Sequence, residues 1–232
     1  MSNVTRRELV AATGALCASL AAPAAGNAQL VYTKADWKME EFQELVKKAV
    51  RVRQVFDVTA INEGKFLNNI KNALNGFEFG FGIPPKQVQI VAALHGPANM
   101  INYDDSMWAK YKVGEWLGVT DPATGKPAVK NIFLASTVAK AAGKEDPSDE
   151  KSSYQDKSVE GLQRRGVKFL SCHTATEEQA KQLIAKWKLT EDRETIVKDL
   201  QAHTVPGVLI TPSMVATVAL LQIEGHYNYI TV

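Results

Sequence analysis

The stretch "KQVQIVAALHGPA", Lys86–Ala98, decides how this chain folds. From Val88 to Leu94 every position except Gln89 is apolar, with none of the alternation of a strand that has one wet face. Ile83, Pro84 and Pro85 stop any helix before the run, and Gly96-Pro97 stops one after it. A short, continuous apolar run with such punctuation is a strand covered on both faces, and strands of that kind lie inside parallel sheets. Parallel neighbours cannot be joined by tight turns, so helices must alternate with strands along the rest of the chain.

The flanking sequence has that alternation. Upstream, "RVRQVFDVT" (51–59) reads as a strand, and Phe66, Leu67, Ile70, Ala73 and Leu74 form one face of a helix ending near Gly76. Before it, residues 35–49 carry Trp37, Met39, Phe42, Leu45 and Val46 at helical spacing. Downstream, Val167 to Ser171 is a third strand, followed by a helix from about Glu177 to Trp187 and a second near 191–202. A fourth strand runs around Val208 to Ile210, "SMVATVALLQIEG" is a helix, and "HYNYITV" closes the chain as a short strand. The expected fold is α/β: a doubly wound, three-layer sandwich around a mainly parallel sheet of about five strands. Residues 103–163 exceed any ordinary connection and are expected to be a helical insertion, with helices at about 105–117 and 130–142. A lid over a site and an oligomer contact are both open roles for it.

With 232 residues, 45% apolar and 22% charged, the chain can bury a core without a disulfide or metal staple. Its net charge of +2, with the signs interspersed, gives no nucleic-acid footprint. The first 28 residues read as an export signal. Arg6 and Arg7 precede an Ala/Leu-rich stretch in the manner of a twin-arginine signal, a general secretory signal being the alternative, and Ala28-Gln29 is a plausible cleavage point. The expected location is therefore the periplasm, with a single mature domain over 29–232 and no membrane attachment after the signal is removed. Removal also takes Cys17 away, so Cys172 becomes the only mature thiol. A leftover cysteine in an oxidising compartment is a reactive thiol, an intermolecular bridge, a metal ligand or a buried filler.

In open parallel sheets sites gather at the carboxyl ends of the strands. That rule selects Asp57, Thr59, His95, Cys172 and Thr211. Thr174 with Glu177, or Thr176 with Gln179, matches a capping box, and either register places Cys172 just before a helix N-terminus, where unpaired N–H groups favour an anion. His95 is a candidate partner able to change protonation near neutral pH. His173 is adjacent but free to face away, and His203 and His226 read as loop residues. Cys172, His95, His173 and Met100 would make a soft ligand set suited to copper, although no spacing motif supports a metal. No cofactor is expected, because G-x-G-x-x-G, G-x-x-x-x-G-K-[ST] and G-x-S-x-G are all missing.

Taken together, "VFDVT", "QIVAALHGPA", "GVKFLSCHTAT" and "VPGVLITPSMVATVALLQIEGHYNYI" resemble the DsrE-like (DsrE/DsrF-like) family of sulfur-relay proteins over residues 50–100 and 160–232. The resemblance implies a five-stranded parallel fold, assembly into trimers or hexamers, and a persulfide-carrying cysteine at the position of Cys172. It also implies a thiol or persulfide partner protein. The export signal and the 103–163 insertion depart from the better understood relatives. The expectation is an exported sulfur carrier or sulfurtransferase-like relay with Cys172 and His95 as catalytic residues. The other expectation is a non-catalytic binding module for a small ligand, copper or a protein.

Overall fold

The computed structural model describes residues 37–136 and 145–232. The export signal expected over 1–28, with Arg6, Arg7 and Cys17, lies outside the described residues, as do residues 137–142 of the second helix expected in the insertion. Five strands form one sheet: β1 (Val52–Val58), β2 (Val88–Leu94), β3 (Lys168–Cys172), β4 (Leu209–Thr211) and β5 (Asn228–Thr231). All are parallel, in the order β4-β3-β2-β1-β5. β2 has a ladder on each side and is buried at all seven positions, which is why its sequence does not alternate. β5 is an edge strand, exposed at each of its four residues.

Eight α-helices are found among the described residues. They are α1 (Met39–Lys47), α2 (Lys65–Asn75), α3 (Asp105–Lys110), α4 (Val113–Leu117), α5 (Val159–Arg164), α6 (His173–Trp187), α7 (Arg193–Ala202) and α8 (Met214–Ile223). None is long and apolar enough to cross a membrane. The period of two along each strand sorts the core into two layers. Phe56, Val58, Ile90, Leu94 and Phe169 pack under α2, α5, α6 and α7. Val55, Val91, Ala93, Leu170 and Cys172 pack under α1 and α8. The sandwich read from the sequence is therefore the observed architecture. From β1 the chain steps outward to β4, and α8 then carries it back to set β5 on the far side of β1.

Three local expectations are corrected. The helix expected from Glu177 begins at His173, so Thr174, Thr176, Glu177 and Gln179 all lie inside α6 and neither capping box forms. The Thr176 hydroxyl instead donates back to the Cys172 carbonyl at 2.9 Å, a bond available to threonine only within a helical turn. The insertion helix expected over 105–117 is broken at Lys112, whose φ of 48° is left-handed, giving α3 and α4. The described part of the 130–142 helix forms turns instead. Asn131 pins them by donating to the carbonyls of Ile101 and Tyr103 at 2.9 and 2.8 Å. α4 sits so close to the 119–128 loop that a Cβ on Gly114 would lie 2.2 Å from the Ala128 carbonyl oxygen.

Candidate functional site

The β2–β3 ladder ends at Leu94↔Ser171, so His95 and Cys172 are the first residues past it on neighbouring strands. Both line a cavity of about 280 Å³ at the carboxyl edge. Its other walls come from Gly96-Pro97, from Thr174, Ala175, Glu178, Gln179 and Gln182 of α6, and from Trp116 and Leu117 of α4. The insertion thus supplies one wall of the cavity.

Cys172 is the N-cap of α6, and its sulfur accepts from the Ala175 N–H at 3.4 Å. The same sulfur accepts from the Met214 N–H at 3.2 Å, the first residue of α8, where Ser213 makes no side-chain cap. The Thr174 hydroxyl lies 3.0 Å away. One sulfur therefore caps two helices, and the positive ends of both macrodipoles converge on it, an environment that stabilises negative charge on sulfur. Its residue is only 3% exposed, so the thiol forms the floor of the cavity and is not displayed on the surface.

Asn99 holds this arrangement from beneath. It sits in the 3₁₀ segment Gly96–Asn102 and is fully buried. Its Oδ1 accepts from the Cys172 N–H at 2.9 Å and the Ser171 hydroxyl at 3.0 Å. Its amide donates to Gln179 Oε1, the Tyr103 hydroxyl and Thr176 Oγ1. Burial raises Tyr103 above the ordinary phenol range, with the hydrogen bonds from Thr176, Ser171 and Asn99 opposing that rise. The amide stands in for the strand that β3 lacks at this point, because β2 has already turned away. Gly96 makes the turn: its φ is +53°, and a Cβ there would meet the Thr59 carbonyl oxygen at 2.9 Å.

His95 is held from the other side. Its Nε2 lies 2.7 Å from Asp57 Oδ1, and the Tyr229 hydroxyl donates to Asp57 Oδ2 at 2.7 Å. The hydrogen bond to Asp57, followed by burial, raises the Tyr229 phenol above its ordinary value. Strand order explains the contact: β5 pairs with β1 in the register Val55↔Tyr229, so Tyr229 and Asp57 share one face two residues apart.

Of the remaining candidates, Thr211 is buried and donates to the Ser171 carbonyl at 3.3 Å, and Thr59 is exposed at the end of β1. The proposed copper set is not brought together. Met100 belongs to the opposite core layer from Cys172, and His173 packs edge-on against Trp37 and accepts from Gln201 at 2.7 Å through Nδ1. Burial lowers the His173 pKa, and the nearby Glu177 carboxylate opposes that. His203 hydrogen-bonds the Asp199 carbonyl at the end of α7, and His226 occupies the exposed turn before β5. Among the described residues no group of three or more His, Cys, Asp or Glu could hold a metal ion. The sequence did not single out Asn99, Tyr229, Trp116 or the Met214 N–H, and none of them carries a motif.

Fold and cleft together define an α/β protein with a five-stranded parallel sheet and a cysteine–histidine cavity at its carboxyl edge. No protein-family model, curated protein or solved structure matches the chain.

Proposed function

We propose that this protein is an exported, DsrE-like sulfur carrier in which the Cys172 thiolate accepts, holds and passes on sulfane sulfur, with His95 beside it. The observation carrying this reading is the convergence of two helix N-termini on the Cys172 sulfur at the floor of a cavity that His95 also lines. The thiolate attacks the terminal sulfur of a persulfide donor, a new S–S bond forms at Cys172, the donor's S–S bond breaks, and the donor leaves as a thiolate. No net oxidant is consumed. Release is the same exchange in reverse, onto the thiolate of a partner protein. Export by the twin-arginine route to the periplasm, and assembly into a trimer or hexamer, belong to the same proposal. Support for assembly comes from α8, whose Val215 and Ile223 are exposed apolar residues, and from the open edge of β5.

Whole-protein mass spectrometry after exposure to inorganic polysulfide tests the reading. A gain of one or more sulfur atoms' mass on the wild type but not on Cys172→Ser supports it. No gain, or an equal gain on Cys172→Ser, overturns it. The 3% exposure of Cys172 favours a second reading, a binding module whose thiol is a structural cap. That module would alkylate slowly at neutral pH and retain a small ligand on purification.

A further inference from the structure

We propose that Tyr229, Asp57 and His95 form an acid–base relay for thiol exchange at Cys172, with His95 as the catalytic group and Asp57 and Tyr229 as positioning residues. The relay rests on reading Cys172 as a reacting thiol, but not on sulfane sulfur being its cargo. An ionised carboxylate only accepts hydrogen bonds, so the 2.7 Å contact to Asp57 places the imidazole proton on Nε2. The basic atom of the neutral ring is then Nδ1, and the tautomer is fixed by Asp57 in the way orienting carboxylates fix other catalytic histidines. Tyr229 completes the arrangement by donating to the second carboxylate oxygen, which leaves Asp57 one orientation. The backbone contributes as well. The His95 N–H donates to the Val58 carbonyl at 3.0 Å, and the Val232 N–H donates to the Asp57 carbonyl at 3.2 Å, so the strand ends carrying the relay are tied to each other.

The chemistry balances without an external oxidant or reductant. No hydrogen bond joins His95 to the Cys172 sulfur, so the thiol proton reaches Nδ1 through solvent in the cavity they share, and the thiolate attacks one sulfur of an R–S–S–R or R–S–SH donor. The S–S bond of the donor breaks as the Cys172–S bond to sulfur forms. The departing R–S⁻ then takes the proton back from Nδ1 and leaves as R–SH. Protonating the leaving thiolate matters most when that thiolate is basic, and hardly at all when it is a stable anion.

That difference gives the test. The full-length protein is treated with 2-hydroxyethyl disulfide, whose leaving thiolate is basic, and with 4,4′-dithiodipyridine, whose leaving group needs no proton. Mass spectrometry of the digested protein reads the rate of modification of the Cys172 peptide by each, separately from the Cys17 peptide. The ratio of the two rates cancels any effect on access, folding or thiolate formation, which a merely structural role would alter alike for both donors. His95→Gln is expected to shift the ratio against the hydroxyethyl donor by about 10²-fold, the ordinary scale of one general acid. Asp57→Asn shifts it the same way, and Tyr229→Phe shifts it less. Tyr229 is 46% exposed and that change removes only a hydroxyl, so the variant keeps the fold even where Asp57→Asn does not. An unchanged ratio in His95→Gln, or a wild type inert to both donors, overturns the relay. A shift in His95→Gln without any in Asp57→Asn and Tyr229→Phe removes the positioning roles. If polysulfide fails to load Cys172 while the ratio still shifts, the sulfur-carrier reading falls and the relay stands.

Discussion

The two residues that meet in the cavity are held by opposite kinds of structure. Cys172 is fixed by a buried, uncharged network: the Asn99 amide beneath it and two helix N-termini around its sulfur. His95 is fixed by a partly exposed, ionisable chain through Asp57 to Tyr229 on the edge strand. A buried amide network is costly to disturb, because each orphaned donor loses its partner away from water. A hydrogen-bond chain near solvent costs little to disturb, because water replaces a lost partner, and it can take up or give back a proton. The contrast makes the β3 side a mount and, in the proposed relay, the β1–β5 side the working part.

The sharpest way to break that contrast is Asn99→Ala. It strands the Cys172 N–H and Gln179 Oε1 in a buried site and takes one partner from the Ser171 hydroxyl. Denaturant unfolding is expected to show a loss of about 3–5 kcal/mol, at the severe end for a single substitution. A loss below about 1 kcal/mol would mean that water fills the site and that the mount is not rigid. Gly114→Ala comes next, because its Cβ would strike the Ala128 backbone, which cannot swing aside as a side chain can. A cost of about 1–3 kcal/mol is expected. Since α4 carries Trp116 into the cavity wall, faster Cys172 alkylation should accompany that cost.

On the other side, Asp57→Asn and Tyr229→Phe are each expected to cost less than about 1 kcal/mol in denaturant unfolding. A larger loss in either would make the relay a structural brace and erase the difference between the two sides. The smallest effect concerns pH. Burial depresses the His173 pKa, so below its ordinary value of 6.5 the unfolded chain binds a proton that the folded chain still refuses. Stability is whole above pH 6.5 and declines as the pH falls below it. Thermal unfolding followed from pH 7.5 to 5 should show this decline in the wild type, and His173→Gln should flatten it. A second decline belongs below pH 3.8. Burial works to raise the Asp156 pKa, but hydrogen bonds from Ser136 and Ser158 and the charge of Arg164 outweigh it and hold the carboxyl low. That stability is present above 3.8 and is lost on further acidification.

How far the site could be read in the sequence depended on which interactions were local. β2 was legible because being buried on both faces leaves a continuous apolar run, and its end marked His95. Cys172 was legible as a residue at a strand-to-helix junction. The capping boxes were misread because the cap of α6 is the cysteine sulfur itself, and sulfur is not among the side chains that signal a cap. Asn99 lies in "GPANMIN", where nothing in the spacing shows that its amide will replace a missing strand. Tyr229 is 172 positions from Asp57, and only the return of β5 to the side of β1 brings them within hydrogen-bond distance.

By itself the sequence determined the α/β class, the number of strands, and the placing of His95 and Cys172 at strand ends, because apolar periodicity and Gly/Pro punctuation act over a few residues. Tertiary structure alone decided that α8 lends its first N–H to the Cys172 sulfur, that the insertion walls the cavity, and that Tyr229 reaches Asp57. Those contacts follow from strand order and register, which are set by how the two covered faces of the sheet pack together and leave no trace in any local run of residues.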